Sequence, residues 1–237
     1  MRFYIPSYKR ADSCITVDYL RGCGVQSSDI YVSTQTEQDY AQYLANYGGK
    51  CNVIYRSANS CAGNRNTCVL HARETGCCRF VLMDDDIQTI MSFLPKRDTP
   101  ICEKNFMQFI LGVESILDLG VLLVGLYSSS NNMYAFCSPK ISRALITGAF
   151  MAFGTNAYLF DEEYTIKEDF ELCLRIISNG APVIRLNRFY AKVRTGNHGG
   201  CEQDYARGDS KRFAEKLLLI YPDLIKKSRR QGQIMLK

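Results

Sequence analysis

Within residues 1–86, short apolar runs alternate with helix-patterned segments, and this alternation constrains the fold more than any other feature. Residues 2–5, 30–33, 52–55 and 80–83 carry the β-branched and aromatic side chains of buried strands. Residues 12–22, 38–47 and 62–75 lie between them, and each stretch ends at glycine: Gly22 and Gly24, Gly48 and Gly49, and Gly76. Asp12 or Ser13 offers a cap for the first helix, and Pro6 is expected to stop the first strand. Strands separated by helices pair in parallel through right-handed crossovers. The expected class is α/β: a single Rossmann-like domain over residues 1–237, with a mostly parallel central sheet flanked by helices. A smaller mixed sheet is expected on its far side.

The second half reads less regularly. A helix is expected over 104–119, with Phe106, Phe109, Ile110, Val113 and Leu117 on one face. Strands are expected at 121–126, 133–136, 149–153, 183–186 and 190–193, and helices at 167–179 and 203–221. Residues 196–201 (Gly-Asn-His-Gly-Gly-Cys) form a loop.

The fourth strand runs into Asp84, Asp85 and Asp86. Three adjacent carboxylates repel one another, so folding alone gives no reason for them. Hard oxygen ligands suit Mn²⁺ or Mg²⁺, and ligands of open α/β sheets gather at the carboxyl ends of strands. Successive residues alternate sides, so Asp84 and Asp86 face one way. The bland alternative is a solvated loop.

A second acidic group, Glu168-Asp169-Phe170-Glu171, opens the helix at 167–179. There the dipole and free N–H groups favour an ionised carboxylate, which can take a proton from an incoming hydroxyl. Standing alone, these acids are an ordinary capping pattern. His198, on the glycine-rich loop, is a candidate to complete a cation's shell. Lys9 and Arg10 follow the first strand, and Arg65 and Arg73 flank the helix before the triple aspartate. Arginine's planar fork suits phosphate oxygens. His71 reads as a packing residue.

Charge and cysteine usage narrow the setting. The net charge of +5 tolerates a polyanionic partner without requiring one. Lys211, Arg212, Lys216, Lys226, Lys227, Arg229 and Arg230 make the C-terminal end basic, as a solvated face or a nucleic-acid-facing patch. The 11 cysteines lack the spaced pairs of a metal framework and read as small buried hydrophobes in a reducing cytoplasm. No apolar run is long enough to span a membrane, so none is expected as a partner.

Taken in order, these motifs resemble a glycosyltransferase of the GT-A fold. They are Ile5-Pro6-Ser7-Tyr8-Lys9-Arg10, the basic helix from Gly63, the acids at 84–86, Glu168-Asp169 and His198. Within that fold, the opening motif, residues 168–172 and residues 196–201 are similar to the TET/JBP-associated glycosyltransferases of tailed phages and kinetoplastids. The resemblance implies transfer of a sugar from a nucleotide-sugar donor, UDP-linked, to a hydroxymethylated pyrimidine in phage DNA, in the host cytoplasm if the chain is phage-encoded. It implies a nucleotide-binding half at 1–86, an acceptor half with the metal-binding loop at 87–201, and a C-terminal helix and basic tail at 202–237. Pro6, Ser7, Tyr8, Arg10, Arg65, Asp84 and Asp85 would hold the nucleotide. Asp84, Asp86 and His198 would hold Mn²⁺ or Mg²⁺. Asp169 beside Glu168 would be the catalytic base if the reaction inverts the anomeric centre; a retaining enzyme would not use it so. Tyr127, Tyr134 and Phe136 are candidates for stacking on a base. A nucleotidylyltransferase and a non-catalytic nucleic-acid-binding module are the competing readings. The first lacks its glycine-rich phosphate loop, and the second leaves the triple aspartate unexplained.

Overall fold

A computed structural model describes residues 1–93, 98–100, 103–128, 143–194, 207–229 and 232–237. The first four strands and three helices follow the expected order: β1 (Arg2–Pro6), α1 (Ile15–Gly22), β2 (Ile30–Thr34), α2 (Glu37–Tyr47), β3 (Asn52–Tyr55), α3 (Cys61–Glu74) and β4 (Phe80–Met83). Then come β5 (Ile87–Phe93), β6 (Asp98–Pro100), α4 (Glu103–Asp118), β7 (Leu123–Tyr127), β8 (Phe150–Phe153), α5 (Glu168–Ser178) and β9 (Val183–Val193). The chain closes with α6 (Asp209–Ile220), β10 (Ile225–Lys227) and β11 (Ile234–Leu236).

The main sheet has the order β3-β2-β1-β4-β8-β7-β9-β5-β6. β3, β2, β1 and β4 are parallel neighbours, as are β7 and β9, while β8 and β5 run against them. β1, β2 and β4 are buried on both faces and largely apolar, while β3, at the sheet edge, is only partly covered. α1, α2 and α4 cover one face, through Val17, Leu20, Tyr43, Phe106 and Val113. α3, α5 and α6 cover the other, through Val69, Leu172, Ile176 and Phe213.

Several expectations are corrected. Pro6 does not stop β1; it pairs with Ser33, and the Ser7 N–H donates to the Ser33 carbonyl at 2.9 Å. Neither Asp12 nor Ser13 caps α1, whose cap position is Cys14, without a side-chain hydrogen bond. The two strands expected at 183–186 and 190–193 are one, with a register shift opposite Leu126 and Tyr127. β5 was not anticipated, because polar residues interrupt its pattern. The strands from β5 to β9 extend the main sheet, and the small second sheet is the antiparallel pair β10–β11, where a basic tail was expected. The strand expected at 133–136 and the loop at 196–201 lie outside the described residues. His71 is a packing residue: its Nδ1 lies 2.9 Å from the Tyr4 hydroxyl, and burial lowers its pKa.

Candidate active site

β1 and β4 are parallel neighbours, so Ser7 and the triple aspartate emerge side by side. Alternation beyond β4 then separates the three acids. Asp84 and Asp86 are half-buried, while Asp85 between them is only 4% exposed. Asp85 faces inward, where Ser7 Oγ and Arg10 Nη1 (2.6 Å) donate to it, and Tyr43 in turn bonds Ser7. Asp85 therefore holds the β1 loop in place. The same arginine nitrogen lies 3.4 Å from Asp86 Oδ2. Burial, then the charges of Asp84 and Asp85, push the Asp86 pKa up to about 7, against the pull of Arg10. Burial likewise raises Asp85.

The backbone of this turn is pinned from two sides. Thr16, at the start of α1, donates its hydroxyl to the Asp84 carbonyl at 2.6 Å and accepts from the Ile87 N–H at 2.9 Å. At the end of β9, the Arg194 N–H donates to the Asp86 carbonyl at 2.8 Å.

α3 enters the site by its N-terminus. Ser60 caps it, accepting from the Gly63 N–H at 3.0 Å. Asn64 then ties two strand ends together, donating to the carbonyls of Ser7 (3.1 Å) and Ser33 (3.2 Å) while accepting from Ser33 Oγ (2.7 Å). Asn66 exchanges bonds with the Phe160 backbone, at 3.0 and 2.7 Å. Arg65, 4% exposed, is a bridge between acids. Its Nη2 donates to Asp84 Oδ1 at 2.7 Å, its Nε lies 3.2 Å from Glu168 Oε1, and its Nη1 reaches the Gly148 carbonyl at 3.3 Å. Burial opposes its charge, but Cys61, Asp84 and Glu168 together hold its pKa well above the ordinary arginine value.

α5 brings the second acidic pair. Lys167 takes the left-handed conformation (φ 64°) and turns the chain into the helix. Asp169 is half-buried and accepts two backbone N–H groups, from Gly148 at 2.9 Å and from Phe170 at 2.7 Å. Glu168 is buried beside Arg65, with Cys61 Sγ at 3.5 Å. Burial raises both carboxyl pKa values, Glu168 strongly, and Arg65 opposes the rise in each. Gly148 thus contacts both the second acidic pair and the bridging arginine, donating to Asp169 and accepting from Arg65. A side chain does not fit there, since a Cβ would stand 2.0 Å from Arg65 Nη2.

The structure therefore brings Ser7, Arg10, Arg65, Asp84, Asp85, Asp86, Glu168 and Asp169 to one end of the sheet. Pro6 and Ser7 are buried there, whereas Tyr8 is partly open, with Lys9 Nζ 4.8 Å over its ring. His198, Tyr134 and Phe136 lie outside the described residues. Thr16, Asn64 and Gly148 were not anticipated; only Asn64, within the Gly63–Asn66 run, had a local signal. Among the described residues, no group of three acidic, His or Cys side chains could hold a metal by itself. Nor is any described helix long and apolar enough to cross a membrane.

Carboxylates gather at the strand ends of an α/β sheet, and a second acidic pair faces them from a helix start through Arg65. The chain belongs to the TET-associated glycosyltransferase family, whose model matches residues 1–200. Membership sets aside the nucleotidylyltransferase and the non-catalytic binding module. No curated protein matches the chain in sequence. Among solved structures, it is similar to a protein described as a nucleotide-diphospho-sugar transferase from Desulfovibrio desulfuricans, at 11% identity and TM-score 0.48, covering 78% of this chain and 80% of that one. It is also similar to a mannose-1-phosphate geranyltransferase from Thermus thermophilus, at 11% identity and TM-score 0.38, covering 79% and 58%.

Proposed function

We propose that the protein transfers a sugar from a UDP-linked donor to the hydroxyl of a hydroxymethylated pyrimidine in DNA, with Mn²⁺ or Mg²⁺ as cofactor. The observation that carries this reading is the Arg65 bridge. It joins the aspartates at the end of β4, which we assign to the donor, to the acids at the start of α5, which we assign to the acceptor.

The residues present fit a divalent cation. Asp84 and Asp86 are hard oxygen donors, both partly open, and burial together with the charges of Asp84 and Asp85 pushes the Asp86 pKa up to about 7, a conflict that a bound cation would relieve. They would hold the ion together with donor phosphates, and His198 is the proposed third ligand. When bound, the ion would act as a Lewis acid on the leaving diphosphate. Residues 1–86 form the proposed donor half, with Tyr8 and the Ser7–Arg10 loop against the nucleotide. Residues 87–201 form the proposed acceptor half.

The two acids of α5 divide their work. Glu168 is committed to Arg65. Asp169, steadied by two N–H groups at a helix start, is the proposed base that takes the acceptor hydroxyl's proton in an inverting transfer. The eight described cysteines are all free thiols, which supports a reducing cytoplasm, a host's if the chain is phage-encoded.

The test is incubation with a panel of nucleotide sugars, Mn²⁺ and an oligonucleotide carrying 5-hydroxymethylcytosine, read by mass spectrometry. A hexose-sized mass gain confined to the hydroxymethylated strand is expected. Donor turnover with transfer only to small hydroxylated molecules would overturn the acceptor, and no turnover with any donor would overturn the whole reading.

A further inference from the structure

β9 carries Arg185, Arg188 and Lys192, Arg194 follows directly, and no acid interrupts them. Phe189 and Ala191 pack toward the cluster that contains α4. Alternation then turns Arg188, Tyr190, Lys192 and Arg194 to the opposite face, where all three cations are at least partly exposed.

Arg185 differs from the other buried arginines of the site. Arg10 and Arg65 each meet a carboxylate, at 2.6 and 2.7 Å. Arg185 is half-buried, yet its partners are the Asn187 side-chain oxygen (2.8 Å), the Leu145 carbonyl (3.4 Å) and the face of the Tyr127 ring (5.1 Å). None of these carries a full negative charge. A partly desolvated cation with only neutral partners is costly unless a ligand supplies the anion.

Its position suits an acceptor. Arg185 is in register with Gly125, Gly125 with Met151, and Met151 with Leu82, two residues before Asp84. Three strand spacings put it roughly 14 Å across the sheet from β4. Its contacts with Leu145, Asn187 and Tyr127 are also distinct from those of Arg10 and Arg65 around the triple aspartate. The same strand then runs back to the acids, ending where the Arg194 N–H meets the Asp86 carbonyl.

We propose that Arg185, stacked on Tyr127, and the exposed cations of β9 bind the sugar–phosphate backbone of a polynucleotide acceptor and lead it toward Asp86. This rests on the acceptor reading given above. A row of cations beside an aromatic face is the arrangement that holds a single strand, with phosphates on the charges and a base against the ring.

The probe is a fluorescein-labelled single-stranded oligonucleotide, titrated by anisotropy over a range of salt concentrations. Arg185→Gln should weaken binding about tenfold and flatten the slope of log affinity against log salt by about one, while Arg185→Lys keeps the slope. Arg188→Gln, at an exposed position that folding does not need, should flatten it as well and carries the test if Arg185→Gln does not fold. UDP–Mn²⁺ binding should be unchanged in all three. Unchanged oligonucleotide binding and slope in Arg185→Gln and Arg188→Gln would overturn the proposal. So would an equal loss of UDP binding, which would assign the anion to the donor. A wild-type protein that glycosylates a small acceptor but binds no oligonucleotide would overturn this inference and the DNA acceptor, and leave sugar transfer standing.

Discussion

Replacing Arg65 by methionine removes the central charge of the site while keeping most of the side chain's bulk. Asp84 is partly open and can turn to water. Glu168 cannot, because it is 5% exposed. Breaking a buried pair by removing one partner costs about 3–5 kcal/mol. Total stability is typically about 5–15 kcal/mol, so the loss should be plain. It should also depend on pH. Burial holds the Glu168 pKa above its unfolded value even with Arg65 present, and the variant raises it further. The folded variant then binds a proton that the unfolded chain releases, so its stability falls as pH rises from the unfolded carboxyl range through the folded value. Urea unfolding of wild type and Arg65→Met at about pH 5 and about pH 8 tests this. The expected deficit is about 3–5 kcal/mol at the higher pH and smaller by about 1 kcal/mol or more at the lower one. A deficit under about 1 kcal/mol at the higher pH, or one that does not change with pH, would refute the bridging role of Arg65.

Three further outcomes follow from the same geometry. Gly148→Ala drives a Cβ into the Arg65 guanidinium and should destabilise by about 1–3 kcal/mol; in the Arg65→Met background that cost should shrink, which a double-mutant cycle measures. Asp169→Asn should leave UDP–Mn²⁺ affinity within about twofold by calorimetry and lower transfer by about 10²-fold or more; loss of nucleotide binding would show that Asp169 is not the base. Burial and the neighbouring carboxylates push the Asp86 pKa up to about 7, so stability is lost as pH rises from the unfolded carboxyl range to about 7 and the full loss is present above it. Asp86→Asn should therefore raise the melting temperature of the metal-free protein near pH 8, and a lower melting temperature there would contradict the cost assigned to burial and repulsion at Asp86.

Residues 1–86 were legible because each element stands on local pattern. Apolar runs, glycine stops and the order of strand and helix are short-range signals, and Asp84 and Asp86 share a face by strand alternation alone. What joins them was not legible. Arg65 meets Glu168 from a different half of the chain, and Gly148 matters because of a clash that only the folded state creates. Asp85 looked like a third cleft residue, yet the same alternation that opens its neighbours turns it onto Ser7 and Arg10. β9 read as two strands because Asn187 and Arg188 break the apolar run; in the fold they fall at a register shift, and the basic face they share was hidden by that break. Lys226 and Lys227 read as a tail because three-residue strands leave no periodic trace.

The proposed transfer depends on Asp84 and Asp86 sharing one divalent ion with a nucleoside diphosphate. The most direct measurement is Mn²⁺ binding by electron paramagnetic resonance, with and without UDP, for wild type, Asp84→Asn and Asp86→Asn. Wild type should bind Mn²⁺ much more tightly when UDP is present, and both variants should lose that gain while remaining folded. Equal Mn²⁺ affinity with and without UDP in wild type, or variants that bind as wild type does, would contradict it.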